Sequence, residues 1–191
     1  MNVPELAIAL ALAWGAGLRA YAVIFAVGLA GALGWVDLLG HLDVLQHPVV
    51  IAASGFMTLV EFGADKLPWL DSIWDAVHSF VRIPAGAALA AMAFGDSPTA
   101  VMVAAGILGG SLAATMHAAK AGARAAINLS PEPFSNWAAS LSEDALVPVG
   151  LYLAVAHPLV FFALLLACIV AAVFLARLLW RGVQRLTRSS I

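Results

Sequence analysis

Charge is what this chain has least of. Only 10% of its 191 residues are Asp, Glu, Lys or Arg, against 63% hydrophobic, and the mean hydropathy is +0.99. A soluble domain carries about 25% charged residues, and a fold of this length could not hide so much apolar surface from water. The composition excludes a soluble globular protein and specifies an all-α integral membrane protein, with the lipid bilayer as its first partner.

Other absences narrow the class further. There is one cysteine, Cys168, set in an apolar run. An internal disulfide is impossible, and the residue reads as a small core or lipid-facing side chain. The net charge is −2 and no basic patch interleaves with aromatics, which argues against a nucleic-acid partner. Residues 1–13 hold no Lys or Arg and include Glu5. A secretory signal wants a positive leader, so this stretch reads as the start of the first span. There is no GxSxG, no P-loop and no dinucleotide-binding glycine fingerprint, so no familiar enzyme signature is present.

What is present is a series of six apolar segments, at about residues 4–34, 48–64, 71–94, 98–127, 134–156 and 158–180. A span needs about 20 apolar residues. The second is short, and the first and fourth are long enough to tilt. Pro84 and Pro148 fall inside the third and fifth, which leaves open whether these cross the bilayer or re-enter it. The spans form a single domain over residues 1–182, followed by a short basic tail at 183–191. Lys66, Lys120 and Arg124 adjoin the second-to-third and fourth-to-fifth connections, and Arg177, Arg181, Arg185 and Arg188 cluster near the end. The other connections carry no Lys or Arg. The positive-inside rule then predicts six spans with both chain ends in the cytoplasm. Trp35, Trp69, Trp74, Trp137 and Trp180 fall near span ends, where aromatic belts sit.

Three spans open alike, at His47-Pro48, Ser97-Pro98 and His157-Pro158. Trp74 through Pro84-Ala85-Gly86 is echoed by Trp137 through Pro148-Val149-Gly150, with Asn136, Ser140 and Glu143 standing against Asp71, Asp75 and His78. This suggests a two-helix unit used twice, an arrangement common in transporters. Gly106 with Gly110, and Gly86 with Ala90, are small-residue pairs suited to close helix packing.

The few charges are patterned. Asp71, Asp75, His78 and Arg82 follow at steps of four, three and four, which stacks them on one helical face. Glu61 and Asp65 lie one turn apart, followed by Lys66. His117, Lys120 and Arg124 repeat the three-and-four spacing, and Arg19 lies alone in the first span. Ser140 and Glu143 fit a capping box. Ionisable groups within spans are expensive and usually line a cavity or pair with partners. We therefore take Asp71, Asp75, His78, Arg82, Glu61, Asp65, His117, Arg19, Asn136, Glu143, Lys120 and Arg124 as the candidates for binding an ion or polar solute. Lys120 and Arg124 have a further part if the solute is a phosphate, and Lys120, with Lys66 and the last arginines, otherwise reads as a solvated rim. Asp71, Asp75 and His78 are of a kind that could share a divalent metal. Asp37, His41, Asp43 and His47 read as an ordinary wet loop.

Three blocks together resemble a known family. Gly17-Leu18-Arg19-Ala20-Tyr21, the stretch Ala64-Asp65-Lys66-Leu67-Pro68 leading to Asp71–His78, and the polar connection from Asn128 to Asn136 are similar to a bacterial membrane family known as a domain of unknown function (family 4126). The resemblance covers nearly the whole chain. It implies a small multi-pass protein of the bacterial inner membrane and supplies no catalytic residues. Three functions fit these features. The first is a transporter or channel-like carrier for a cation, a proton-coupled solute or a small polar or anionic solute. The second is a metal-dependent membrane enzyme acting on a lipid or isoprenoid phosphate. The third is a structural or assembly subunit. A homodimer is expected, since six short spans enclose little by themselves.

Overall fold

A computed structural model describes residues 2–128 and 134–189; for residues 68, 69, 71, 72, 182, 183 and 185–189 the description is of the backbone alone. The described residues form six α-helices: α1 Val3–Ala32, α2 Pro48–Ala64, α3 Pro68–Ala93, α4 Thr99–Ile127, α5 Phe134–Ala156 and α6 Pro158–Ser189. A short 3₁₀ turn, Leu42–Gln46, precedes α2. Five helices are long and apolar enough to cross a membrane, and α2, with 17 residues, is shorter. Proline begins α2, α3 and α6 and stands just before α4, where its missing N–H is no loss. The basic segment from residue 183 continues α6 to Ser189.

The prolines inside α3 and α5 do not end those helices. Both run unbroken past Pro84 and Pro148, so neither is the re-entrant segment that the sequence left open. The break falls in α1 instead. Arg19, with φ −149° and ψ 81°, leaves the helical region. The chain there turns back on itself. A Cβ added at Gly15 would lie 2.7 Å from Val23 Cγ2, whereas residues eight apart in a straight helix are separated by about 12 Å. Ile8, Ala11 and Leu12 of the first arm and Ala26, Val27 and Ala30 of the second line one common cavity. These pairs are symmetric about Arg19. The first segment is thus a helical hairpin, with arms at residues 3–18 and 20–32 and its apex inside the bundle.

The hairpin corrects the predicted topology. Going down the first arm, Ala13 lies level with Gly86 and Gly109, and Gly17 level with Ala113 and Met116, so this arm runs parallel to α4. Going up the second, Phe25 meets Gly55, and Gly28 meets Leu45 and Ile51, so it runs antiparallel to α2. Val3 therefore lies at the end of the bundle that holds His47, Phe94 and His157. The C-terminal end of α6 lies at the opposite end. The two chain ends do not share a side, as six consecutive crossings would require.

Packing places α1 at the centre, in contact with every other helix. Small residues allow it. A Cβ on Gly17 would lie 2.5 Å from the Ala113 carbonyl oxygen and 2.9 Å from Ala113 Cα, so the apex touches the α4 backbone. Between α3 and α4, an added Cβ on Gly109 would lie 2.8 Å from the Gly86 carbonyl oxygen. Of the two small-residue pairs, Gly86 with Ala90 marks a close approach, whereas a Cβ on Gly106 would make only ordinary contact, 3.5 Å from the Ala87 carbonyl oxygen. Large apolar side chains such as Phe56, Phe80, Ile107 and Phe174 point outward, as a bilayer-facing surface requires.

A buried charge cluster at the hairpin apex

Five helices bring ionisable side chains to one place. The cations are Arg19 from the α1 apex, Arg82 from α3, and Lys120 and Arg124 from α4. The carboxylates are Glu61 from α2, Asp65 at its C-terminal end, Asp75 from α3 and Glu143 from α5. Arg19 and Arg82 are 1% exposed, and Glu61 and Asp65 are fully covered. Four positive and four negative groups balance, and Asp144 adds a fifth carboxylate at the edge.

Arg19 ties the apex to α2 and α5. Its Nη2 lies 2.8 Å from Asp65 Oδ2 and donates to Ser140 Oγ at 3.0 Å and to the Ser140 carbonyl at 3.3 Å. Its Nε lies 3.0 Å from Asp144 Oδ1. Lys120 occupies the middle. Its Nζ lies 3.1 Å from Glu143, 3.4 Å from Asp65 and 3.5 Å from Asp75. It also donates to the Leu18 carbonyl at 3.3 Å, next to the residue where the helix breaks. Broken helices expose such backbone groups, which otherwise go unsatisfied in an apolar interior. Arg124 donates to both the carbonyl and Oδ1 of Asn136 and to Glu143. Asn136 in turn donates to the Asp65 carbonyl at 3.2 Å.

A second limb lies on α3. Arg82 bridges Glu61 and Asp75, both at 2.5 Å. Its Nη1 also donates to His117 Nδ1 at 3.1 Å. Since guanidinium only donates, His117 Nδ1 accepts. Ser79 Oγ donates to the Asp75 carbonyl and so receives the His117 Nε2 proton at 2.6 Å. His117 is thereby held as the neutral Nε2–H tautomer. His78 donates from Nδ1 to the Trp74 carbonyl at 2.8 Å. Its ring stacks on Trp74 at 4.1 Å and meets the edge of Tyr21 at 5.6 Å.

Four carboxylate oxygens are left over. Glu61 Oε2, Asp65 Oδ1, Asp75 Oδ2 and Asp144 Oδ2 are buried and meet no hydrogen-bond donor among the described residues. Each is the second oxygen of a group whose first is paired to a cation. Buried acceptors without a donor are unusual and expensive. No three His, Cys, Asp or Glu side chains among the described residues are grouped to hold a metal; the Asp71 side chain lies outside them. Asp75 spends its charge on Arg82 and Lys120.

The structure brings together Arg19, Glu61, Asp65, Asp75, Arg82, His117, Lys120, Arg124, Asn136 and Glu143, with His78 beside them. Two expectations change. Lys120 is buried at the centre and is no rim residue, because its flexible stem reaches inward to the apex. Ser140 is no cap, because α5 begins at Phe134 and the Ser140 hydroxyl accepts from Arg19 instead. Of the polar connection, residues 129–133 lie outside the described ones. Asp144 and Ser79 were missed, although Asn136, Ser140 and Asp144 follow at steps of four and share a face. Outside the helices, Lys66 sits over the Phe62 ring, 2.9 Å from its centroid. Burial lowers the basicity of that ammonium, while Asp144 acts to restore it.

The family match bears on the same residues. A domain of unknown function, DUF4126, matches residues 6–178. The chain belongs to the DUF4126 family. The matched region contains the hairpin apex and every residue of the charge cluster. No curated protein and no solved structure matches the chain.

Proposed function

We propose that this chain is a small carrier or channel-like transporter of a bacterial inner membrane, with the charge cluster as its binding centre. The observation that carries the reading is the broken helix at Arg19, whose apex meets five helices' worth of charge inside an apolar bundle. Ion pairs buried this deeply contribute little net stability compared with apolar packing, and in a membrane they mark ion and proton pathways. Discontinuous helices at such centres supply backbone groups to transported ions. The four unmatched carboxylate oxygens favour a cation or proton over an anion, since what they lack is a positive or donating partner, while Arg82 Nε is a donor of the same cluster that lacks an acceptor.

Orientation follows from the remaining free charges. Lys66, Arg177 and Arg181 lie at one end of the bundle, and the connections at the other end contain no Lys or Arg. The positive-inside rule puts the first end in the cytoplasm. Val3 is then outside and the α6 end inside. Glu143 and Asp144, the least buried members of the cluster, face the inner side. The two pairs α3–α4 and α5–α6 flank the hairpin in the same orientation, which supports the two-helix unit repeated in the sequence.

Purified protein in liposomes with an internal pH dye, or with a cation-sensitive dye, tests this reading. Imposed proton or monovalent-cation gradients are expected to dissipate faster than in empty liposomes, and Asp75→Asn is expected to abolish the difference. Equal rates with and without protein, over every cation tried, would remove the transport reading.

A further inference from the structure

The outer half of the molecule contains a second feature, separate from the charge cluster. A cavity of about 470 Å³ lies between the two arms of the hairpin, the outer part of α5 and the segment at residues 35–42. Its walls are Ile8, Ala11, Leu12, Ala26, Val27, Ala30 and Leu151, among other apolar side chains. Further along the same two arms, past the cavity, Gly15, Val23 and Val147 pack together: a Cβ on Gly15 would lie 2.7 Å from Val23 Cγ2 and 3.7 Å from Val147 Cγ1. One helical turn below them lies Arg19.

The chemistry of its lining is one-sided. Asp37 is the only Asp, Glu, Lys, Arg or His among the described lining side chains, and Trp35 and Tyr152 are the aromatic ones. Asp37, Trp35 and Tyr152 are all exposed, so they belong to the rim and not to the depth of the cavity. The rim segment is fixed in place. Gly40 adopts φ +57° where a Cβ would lie 2.4 Å from the Met92 carbonyl oxygen, and the His41 N–H donates to that same carbonyl at 2.9 Å. No lysine or arginine lines the cavity or its rim. An apolar chamber of this size with few polar groups has the form of a small-molecule site. A carboxylate and two aromatic side chains at one opening are the groups that suit a cation with a weakly hydrated, apolar exterior.

We infer that this cavity binds a lipophilic organic cation, with its apolar body between the hairpin arms and α5 and its positive centre at Asp37, Trp35 and Tyr152. An anion would meet only Asp37 and be repelled. A small hydrated inorganic cation would gain nothing from the apolar walls. The inference does not depend on transport, because it concerns binding at a different place.

The test is equilibrium binding of tetraphenylphosphonium to the full chain in nanodiscs, with empty nanodiscs as the baseline and triphenylphosphine oxide as the uncharged competitor. Saturable binding above the baseline is expected, with weak competition from the neutral compound. Ala30→Phe fills the cavity and is expected to abolish that binding. Asp37→Asn is expected to weaken it about tenfold, the scale of one partly solvated charge contact. Asp37 is exposed, so this variant is expected to fold, and an unchanged melting profile verifies it. Binding no greater than in empty nanodiscs overturns the inference, as does binding equal in the wild type and both variants. Binding lost in Ala30→Phe but unchanged in Asp37→Asn also overturns it, leaving an apolar pocket indifferent to charge. A transport failure in liposomes alters none of these outcomes.

Discussion

The two halves of this molecule, an inner one around Arg19 and an outer one around the cavity in the orientation we propose, share the same helices and use opposite chemistry. Below the Gly15–Val23–Val147 layer, α1, α4 and α5 contribute Arg19, Lys120, Arg124 and Glu143 to a buried cluster of paired charges. Above it, α1 and α5 border an apolar cavity with one carboxylate at the rim. The inner half is held by specific pairings that leave four carboxylate oxygens unmatched. The outer half is held by close packing of small side chains and leaves space. Buried charge demands partners at every atom, whereas apolar walls tolerate an empty volume. A single turn of helix separates the two regimes.

Substitutions of comparable size should therefore have very different effects in the two halves. The largest effect is expected for Arg82→Met, which strands Glu61 in the interior and leaves Asp75 with Lys120 alone. Removing one partner of a buried pair costs about 3–5 kcal/mol. Thermal unfolding of the detergent-solubilised protein should show it, and a small change would mean that water reaches the cluster. Gly17→Leu comes next. Its Cβ would collide with the Ala113 backbone, and overpacking of this kind costs about 1–3 kcal/mol. The same melting experiment reads this effect, and a neutral result would mean that the apex can lift away from α4.

Asp75→Asn sharpens the contrast on the functional side. It keeps the side-chain shape and leaves Arg82 paired to Glu61, so the stability loss should stay near 1–3 kcal/mol while ion flux in liposomes disappears. Retained flux would make Asp75 a purely structural residue. The smallest effect is expected for Ala30→Phe in the outer half. There the added ring enters existing space, so stability should stay within about 1 kcal/mol of wild type. A loss as large as that of Gly17→Leu would show that the two halves are packed alike.

Much of this was legible beforehand because hydrophobic patterning and helical spacing are local properties. The six segments, the proline-led starts of α2, α4 and α6, and the shared face of Asp75, His78 and Arg82 follow from composition and a 3.6-residue period. Glu61 meets the α3 stripe at Arg82, whereas Asp65 pairs with Arg19, Lys120 and Arg124 of other helices, a choice its spacing from Glu61 does not disclose. Lys120 was misjudged because a lysine near a span end reads equally well as a solvated rim. Its partners come from residues 18, 65, 75 and 143, far apart in the chain.

The first segment shows the limit most clearly. Residues 4–34 are apolar enough throughout to be a single long span, and nothing in their hydropathy marks a reversal. The two glycines and Arg19 were visible as an interruption. That the interruption is a hairpin depends on Gly15 meeting Val23, Gly17 meeting Ala113, and Arg19 finding Asp65, Ser140 and Asp144. Sequence alone determined that this protein is a helical membrane bundle with very few charges, set at helical spacing. Tertiary structure decided that those charges close on one another at the turn of α1, because a buried cation is stable only where other helices bring it a carboxylate.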